Sequence, residues 1–270
     1  MTNDTKRQDQ KGIMALVTGA SSGLGKELAR IHAQRGGSLI LVARRRDLLE
    51  DLARELNDLY DTTVFIIPKD LSKEKAPEEI YDEVKAKGLQ VDYLINNAGL
   101  GGQGAFAERS MEADINLIAV NIIALTKMTK LYLPDFLKRK SGRILNVSST
   151  AALMPGPLQA VYYASKAYVT SLSNAIWQEI RGSGVTLPLL MPGGMDTGFA
   201  AASDLQNTNL AKEMVFSPRE IAEPTYEAML RGQMELIEKL SFIQKLTFKL
   251  LPFLPKKMIM KQIYSMQKEK

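Results

Sequence analysis

The chain contains no cysteine and a single histidine, His32. Without cysteine there can be no disulfide, no thiolate nucleophile and no thiolate metal site, and the redox compartment stays open. One histidine excludes a multi-histidine metal centre, and no metal site is expected. A Ser-His-Asp triad would have to use His32. That residue lies within "GKELARIHAQRG", a helical pattern, and reads as a helix-face residue. Long apolar runs are also missing: no uninterrupted stretch reaches the roughly 18 residues that a spanning helix needs. The N-terminal "MTNDTKRQDQKG" lacks the apolar centre of a secretory signal. The formal charge is a mild +5, with Lys245, Lys249, Lys256, Lys257, Lys261, Lys268 and Lys270 gathered near the C-terminus. No aromatic platforms interleave with them and no helix-turn-helix pattern accompanies them, so no nucleic-acid partner is expected. What remains is a 270-residue chain, 45% hydrophobic and 24% charged. That is an ordinary globular composition, able to build a core without metals or staples.

Apolar runs and amphipathic stretches alternate. "IMALVT" (13–18), "SLILVAR" (38–44), "TTVFIIP" (62–68), "VDYLINNAG" (91–99), "GRILNVSS" (142–149) and "VTLPLLM" (185–191) read as strands. "GKELARIHAQRG", "DLLEDLARELNDLY" and "PEEIYDEVKAKG" read as helices, as do roughly 113–140 and 162–181. Strand–helix alternation implies βαβ units, hence an α/β fold with a doubly wound parallel sheet in three α/β/α layers. In such sheets ligands bind beyond the carboxyl ends of the strands.

After the first strand comes "TGASSGLG", with Thr18, Gly19, Gly23 and Gly25. Glycine permits positive φ and lets a phosphate approach the backbone, and the next helix offers free N–H groups. A plain strand-to-helix turn is the competing reading. The spacing Gly-x-x-x-Gly-x-Gly is one residue longer in its first gap than the usual dinucleotide fingerprint. It resembles the short-chain dehydrogenase/reductase family, whose first motif is Thr-Gly-x-x-x-Gly-x-Gly. The resemblance covers roughly 12–200 and implies a Rossmann-type sheet. It also implies a nicotinamide dinucleotide held at Thr18, Gly19, Ser21, Ser22, Gly23, Leu24 and Gly25.

The second strand ends in Arg44, Arg45 and Arg46 with no acid. Guanidinium groups recognise phosphate, so NADP(H) is expected over NAD(H), through Arg44 first and Arg45 next. Ser22 departs from this, since many NADP-preferring relatives are basic there. The resemblance places Asp70, with Leu71, by the adenine and Asn97-Ala98-Gly99 along its ring. It places Pro192, Gly193 and Thr197 at the nicotinamide; a loop threonine is otherwise common.

Tyr-x-x-x-Lys occurs three times, as Tyr81/Lys85, Tyr162/Lys166 and Tyr264/Lys268. Carbonyl reduction needs a proton donor, a cation lowering its pKa, and a second donor for the carbonyl oxygen. Only Tyr162 has a hydroxyl thirteen residues earlier, Ser149, at a strand end. That is the spacing of the family's Ser…Tyr-x-x-x-Lys set. Tyr163 has alanine four residues on and is assigned to substrate-side or interface packing. Asn121 is polar in the apolar "LIAVNIIAL". It is either a core amide or, by resemblance, the holder of a relay water next to Lys166, which would also bind the nicotinamide ribose.

The expected organisation is a flexible 1–11, one catalytic domain at 12–235 with a substrate loop near 193–216, and a basic amphipathic extension at 236–270. Ser217, Pro218 and Glu220 carry a capping signature, and Pro224 can kink the segment after it. No seventh strand is identified. Its absence would leave "VTLPLLM" near an edge, where Pro188 fits. The tail can pack on the domain, form a dimer face or lie on an anionic membrane surface. The expected protein is a cytoplasmic, membrane-peripheral at most, NADP(H)-dependent oxidoreductase acting on a small carbonyl or alcohol, assembled as a homodimer or homotetramer. The alternative is a nucleotide-binding sensor or scaffold without turnover.

Overall fold

The computed structural model describes residues 9–195, 198–199, 203, 205, 208, 216–238 and 255–268. The chain alternates as the sequence predicts. β1 (Met14–Thr18) leads to α1 (Gly23–Gln34), β2 (Ser38–Ala43), α2 (Arg46–Tyr60), β3 (Val64–Pro68), α3 (Ala76–Ala86) and β4 (Tyr93–Asn96). Then come α4 (Met111–Ile118), a π-helical turn (Ala119–Ala124) and α5 (Leu125–Arg139), followed by β5 (Gly142–Val147) and a 3₁₀ turn (Thr150–Leu153). The rest is α6 (Ala160–Glu179), β6 (Val185–Thr186), β7 (Leu189–Pro192), α7 (Pro218–Leu230), β8 (Glu235–Glu238) and α8 (Lys256–Gln267).

Every strand pair is parallel, in the order β3-β2-β1-β4-β5-β7-β8, with β6 alongside β5. Successive strand side chains face opposite ways, so each strand feeds two cores. Val17, Leu39, Leu41 and Ile95 meet Leu28, Leu52, Leu56, Ile221 and Met229 of α1, α2 and α7. Leu16, Ile40, Val42 and Leu94 meet Ile80, Val84, Met128, Tyr132 and Phe136 of α3 and α5. Each such side chain, fully buried, contributes about 1.5–3 kcal/mol, which is why these strands are apolar on both faces.

The strand order reverses between β1 and β4, which opens a crevice at the carboxyl edge. A seventh strand in the sheet path does exist: β8, which starts at Glu235 and lies outside β7. The "VTLPLLM" segment is therefore interior. Pro188 is tolerated because the strand breaks there into β6 and β7, with the Pro188 carbonyl still accepting from Asn146 N–H at 3.1 Å. The capping box at Ser217 and Glu220 forms, and α7 continues through Pro224 to Leu230.

Among the described residues, the continuous helical stretch 111–139 has the length and apolarity to cross a membrane. Its Met128, Tyr132 and Phe136 are buried against the sheet, the placement of a core helix. His32 lies deeper than a helix-face residue: it is fully buried, with Nδ1 2.6 Å from the Tyr226 hydroxyl and Nε2 3.2 Å from the Ile13 carbonyl.

Candidate active site

A cleft of about 580 Å³ runs along the carboxyl edge of the sheet, a size suited to a ligand or cofactor. One end is built by the β1–α1 turn. Gly19 adopts φ +67, and a Cβ there would lie 2.9 Å from the Ala98 Cα. At Gly25 a Cβ would lie 2.5 Å from the Gly19 carbonyl oxygen. The helix that follows has no acidic residue in its first turn, and its N-cap, Ser22, makes no side-chain cap bond. Its leading N–H groups and the positive end of its dipole are therefore left for an anion. This cradle fits a pyrophosphate.

Gly19, Ser21, Ser22, Gly23 and Leu24 line the cleft. Thr18 and Gly25 do not: they sit behind it. Thr18 is buried, its hydroxyl donating to the Ile95 carbonyl and accepting from the N–H groups of Asn97 and Ala98. Asn97 returns the contact, donating through Nδ2 to the carbonyls of Thr18 and Gly19. These residues clamp β1 to β4 and so shape the cradle from outside. Arg44 and Arg45 are exposed on the cleft rim, and Arg45 Nη2 donates to Ser21 Oγ at 3.3 Å. Asp70, Leu71, Asn97, Ala98 and Gly99 complete this end. Desolvation raises the Asp70 carboxyl, but the Ser72 backbone and hydroxyl together with the Arg44 and Lys73 charges outweigh it, so the group stays below its usual range.

The other end is built by β5, the 3₁₀ turn and α6. Ser149, Tyr162 and Lys166 share the cleft wall. Ser149 Oγ accepts from Ala151 N–H at 3.1 Å, which leaves its own proton free to donate. Lys166 is buried, and Nζ donates to the Val147 carbonyl at 3.0 Å while lying 5.8 Å from the centre of the Tyr162 ring. Burial lowers the Lys166 ammonium to about 8. Burial also raises the Tyr162 phenol, opposed by a hydrogen bond with Ser149. The expected lowering of Tyr162 by Lys166 is not what the chain alone displays, because the ammonium is directed at Val147 and is itself desolvated.

Asn121 lies in the π-helical turn, behind the cleft. Its Oδ1 accepts from Leu100 N–H at 2.8 Å, and Nδ2 donates to the Leu100 carbonyl and to Ser165 Oγ at 2.9 and 3.0 Å. The amide ties the turn after β4 to α6, the core-amide reading of the sequence, and stands near Lys166 across Gly99. π-Helical turns recur at functional sites. Ser148, the neighbour of Ser149, faces inward to the Lys166 carbonyl and Thr170.

Pro192 and Gly193 line the cleft; Thr197 lies outside the described residues. Tyr163 packs over Gly156, and its hydroxyl accepts from Gln267 Nε2 at 2.8 Å. The described part of the tail thus packs on the domain through Gln267 and the buried Ile259, while Lys256, Lys257, Lys261 and Tyr264 stay exposed. The sequence reading does not single out Gln159 or Phe199, both of which line the cleft. Phe199 stacks obliquely on Tyr162 with ring centres 5.7 Å apart. Gln159 had a signal, a polar residue three before Tyr162 at a helix start.

Comparison with known proteins agrees with this geometry. A model of the short chain dehydrogenase family matches residues 13–208. A 17-beta-hydroxysteroid dehydrogenase type 3 of Mus musculus is 35% identical over 209 residues, covering 76% of this chain and 67% of that one. A very-long-chain 3-oxoacyl-CoA reductase of Anas platyrhynchos is 35% identical over 189 residues, 67% of this chain; the match spans only 59% of that relative's length. Among solved structures, a short-chain dehydrogenase from Sphingobium yanoikuyae in complex with NADPH superposes with a TM-score of 0.80 at 26% identity, covering 90% of this chain and 96% of that one. One from Burkholderia phymatum in complex with NAD gives 0.80 at 25% identity, covering 90% and 93%. With the family model matched over most of the chain and the sheet, cradle and Ser149/Tyr162/Lys166 wall in place, this chain belongs to the short chain dehydrogenase family.

Proposed function

We propose that this chain is an NADP(H)-dependent oxidoreductase that reduces a carbonyl to an alcohol, or runs the reverse, with Tyr162 as general acid/base. The observation that supports it is a single cleft joining two chemistries: an anion cradle with Arg44 and Arg45 at one end, and Ser149, Tyr162 and Lys166 at the other. Residues 19–25 would hold the pyrophosphate, Arg44 and Arg45 the 2′-phosphate, Asp70 to Leu71 and Asn97 to Gly99 the adenosine side. Tyr162 and Lys166 would hold the nicotinamide ribose, with Pro192 and Gly193 beside the ring. Bound NADPH supplies the hydride.

The chain's own residues do the rest. Ser149 donates to the carbonyl oxygen and orients it toward Tyr162. Desolvation keeps Tyr162 protonated near neutral pH, the form that reduction requires. As carbon accepts the hydride, the Tyr162 O–H bond breaks and its proton passes to the carbonyl oxygen. The phenolate left behind is stabilised by the Lys166 charge on the same face of α6. The exposed Met111, Ile115 and Ile123 support assembly with a second copy.

The test follows NADPH absorbance against a broad carbonyl panel, with Tyr162→Phe as control. The variant is expected to lose about 10²- to 10⁴-fold in kcat while weakening NADPH only modestly, by the one ribose contact of the phenol hydroxyl. Turnover unaffected by the substitution overturns the mechanism. No turnover by the wild type across the panel favours the nucleotide-binding sensor.

A further inference from the structure

The end of α8 lies 104 residues from the catalytic wall in sequence and against it in space. The buried residues of α8 are Ile259 and Gln267, while Lys257, Lys261 and Tyr264 face outward. Gln267, only 1% exposed, is held from two sides. Its Nε2 donates to the Tyr163 hydroxyl at 2.8 Å, and its carbonyl accepts from Gln103 Nε2. Gln103 is fixed in turn. Its carbonyl accepts from Arg109 Nη1 at 2.8 Å, and Arg109 pairs with the buried Asp114 of α4 at 2.8 Å. The end of α8 is thus wedged between the β4–α4 loop and α6.

Tyr163 carries this anchor to the cleft, which it lines. Its ring packs on Gly156, where any Cβ would collide with it. It also meets the Tyr162 ring edge-on, with centres 6.0 Å apart and planes at 76°. Phe199, which stacks on Tyr162 as well, lines the same cleft. A phenol tied at its oxygen to a buried amide cannot swing into the cleft without breaking that bond and leaving both groups unsatisfied. The bond therefore holds the ring as a fixed apolar surface next to the reacting hydroxyl.

We infer that Gln267 is a positioning residue: it fixes the Tyr163 ring as a wall beside Tyr162, so that α8 sets the affinity for ketones whose apolar arm lies on that ring. The inference rests on the reductase reading and names the part of the chain that shapes its substrate end. A short ketone reaches Ser149 and Tyr162 without using the wall. A longer one removes apolar area from water against it, and gains most when the wall is already in place.

The test uses the full chain with NADPH and two methyl ketones, butanone and benzylacetone, which share the carbonyl end and differ by a phenyl arm. Wild type is compared with Gln267→Met, Tyr163→Phe, the double variant, and Lys261→Ser on the outward face of α8. Gln267→Met and Tyr163→Phe are each expected to lower the kcat/KM preference for benzylacetone over butanone by about 10-fold, through the KM for benzylacetone. The double variant is expected to lose no more than either single one, because both remove the same bond. Lys261→Ser keeps the wild-type preference. Tyr163→Phe removes the bond from its other side, and gives the same comparison should Gln267→Met fail to fold. Equal losses on both ketones indicate a structural role and overturn the inference. So do an unchanged preference and losses that multiply in the double variant. In each of these cases turnover by the wild type leaves the reductase reading standing. Turnover of neither ketone by the wild type overturns the reductase reading and the inference together.

Discussion

Lys166 Nζ lies 5.8 Å from the centre of the Tyr162 ring and donates to the Val147 carbonyl at 3.0 Å. One turn of α6 thus sets the cation beside Tyr162, while β5 fixes where the cation points. Burial brings Lys166 down to about 8, so the ammonium is present below that pH and lost above it. Carbonyl reduction by this chain should therefore decline as pH rises through about 8, as a one-proton alkaline limb in kcat/KM. Lys166→Met should lose the limb together with about 10²-fold or more of the rate. A wild-type profile flat through this range would sink the assignment.

His32 gives a pH dependence of stability instead of rate. Desolvation lowers its pKa from 6.5 to about 4, so the native state holds it neutral while the unfolded chain takes up a proton sooner. The contribution is full above about pH 6.5, is lost as pH falls from there to about 4, and levels off below. The shift corresponds to a loss on the order of 3 kcal/mol. Urea melts across that window should show the decline, and in His32→Gln the same window should be much flatter.

Asn97 carries the cradle without lying at its centre. Its Nδ2 bridges the carbonyls of Thr18 and Gly19 at 3.0 and 3.3 Å. Asn97→Ala leaves both carbonyls short of a donor, at about 1–3 kcal/mol, and frees the turn that would grip the pyrophosphate. Expected are a lower Tm and weaker binding of both NADPH and NADH by similar factors. A selective loss of one cofactor would contradict this role.

The sheet was legible because its strands are apolar runs ending in turn residues, and a parallel sheet covered on both faces demands such runs. β8 was not: "ELIE" is four residues with charged ends, and only its pairing with β7 makes it a strand. Ser149, Tyr162 and Lys166 were readable because a strand end and one helix turn fix their separation. The partners of Lys166 and Asn121 were mostly not, since the Val147 carbonyl and the Leu100 peptide are backbone groups that leave no residue-type signature; only Ser165, the side-chain partner of Asn121, has one. The helical pattern placed His32 on a helix but could not foresee Tyr226, 194 residues away.

The proposed preference for NADP(H) rests on the end of β2. Arg44 and Arg45 are exposed on the rim, and Arg45 is already directed at the β1–α1 turn by Ser21. Arg44→Ala should weaken NADPH by about 10-fold or more and leave NADH nearly unchanged, because a charge-assisted bond to the 2′-phosphate is worth about 1.5–3 kcal/mol. Titration of each cofactor by fluorescence decides it. Equal affinity of the wild type for NAD and NADP would overturn the NADP reading.

Self-association can be tested on one stripe. Met111, Ile115 and Ile123 are 76%, 54% and 46% exposed; Ile115 lies four residues beyond Met111, the spacing of neighbours on one helix face, and Ile123 lies about two turns further along the same continuous helix. Tyr168 of α6, 39% exposed and bonded to Thr126 at 3.1 Å, is a further exposed aromatic on a neighbouring helix. A second copy covering this stripe removes apolar area that water otherwise solvates. Ile115→Arg places a charge at its centre, on a side chain already more than half exposed, so the monomer fold should survive. Light scattering is expected to show a dimer or tetramer for the wild type and a monomer for Ile115→Arg, with an unchanged circular dichroism spectrum. A wild type that runs as a monomer at all concentrations, or a variant that keeps the wild-type mass, removes this face as the contact.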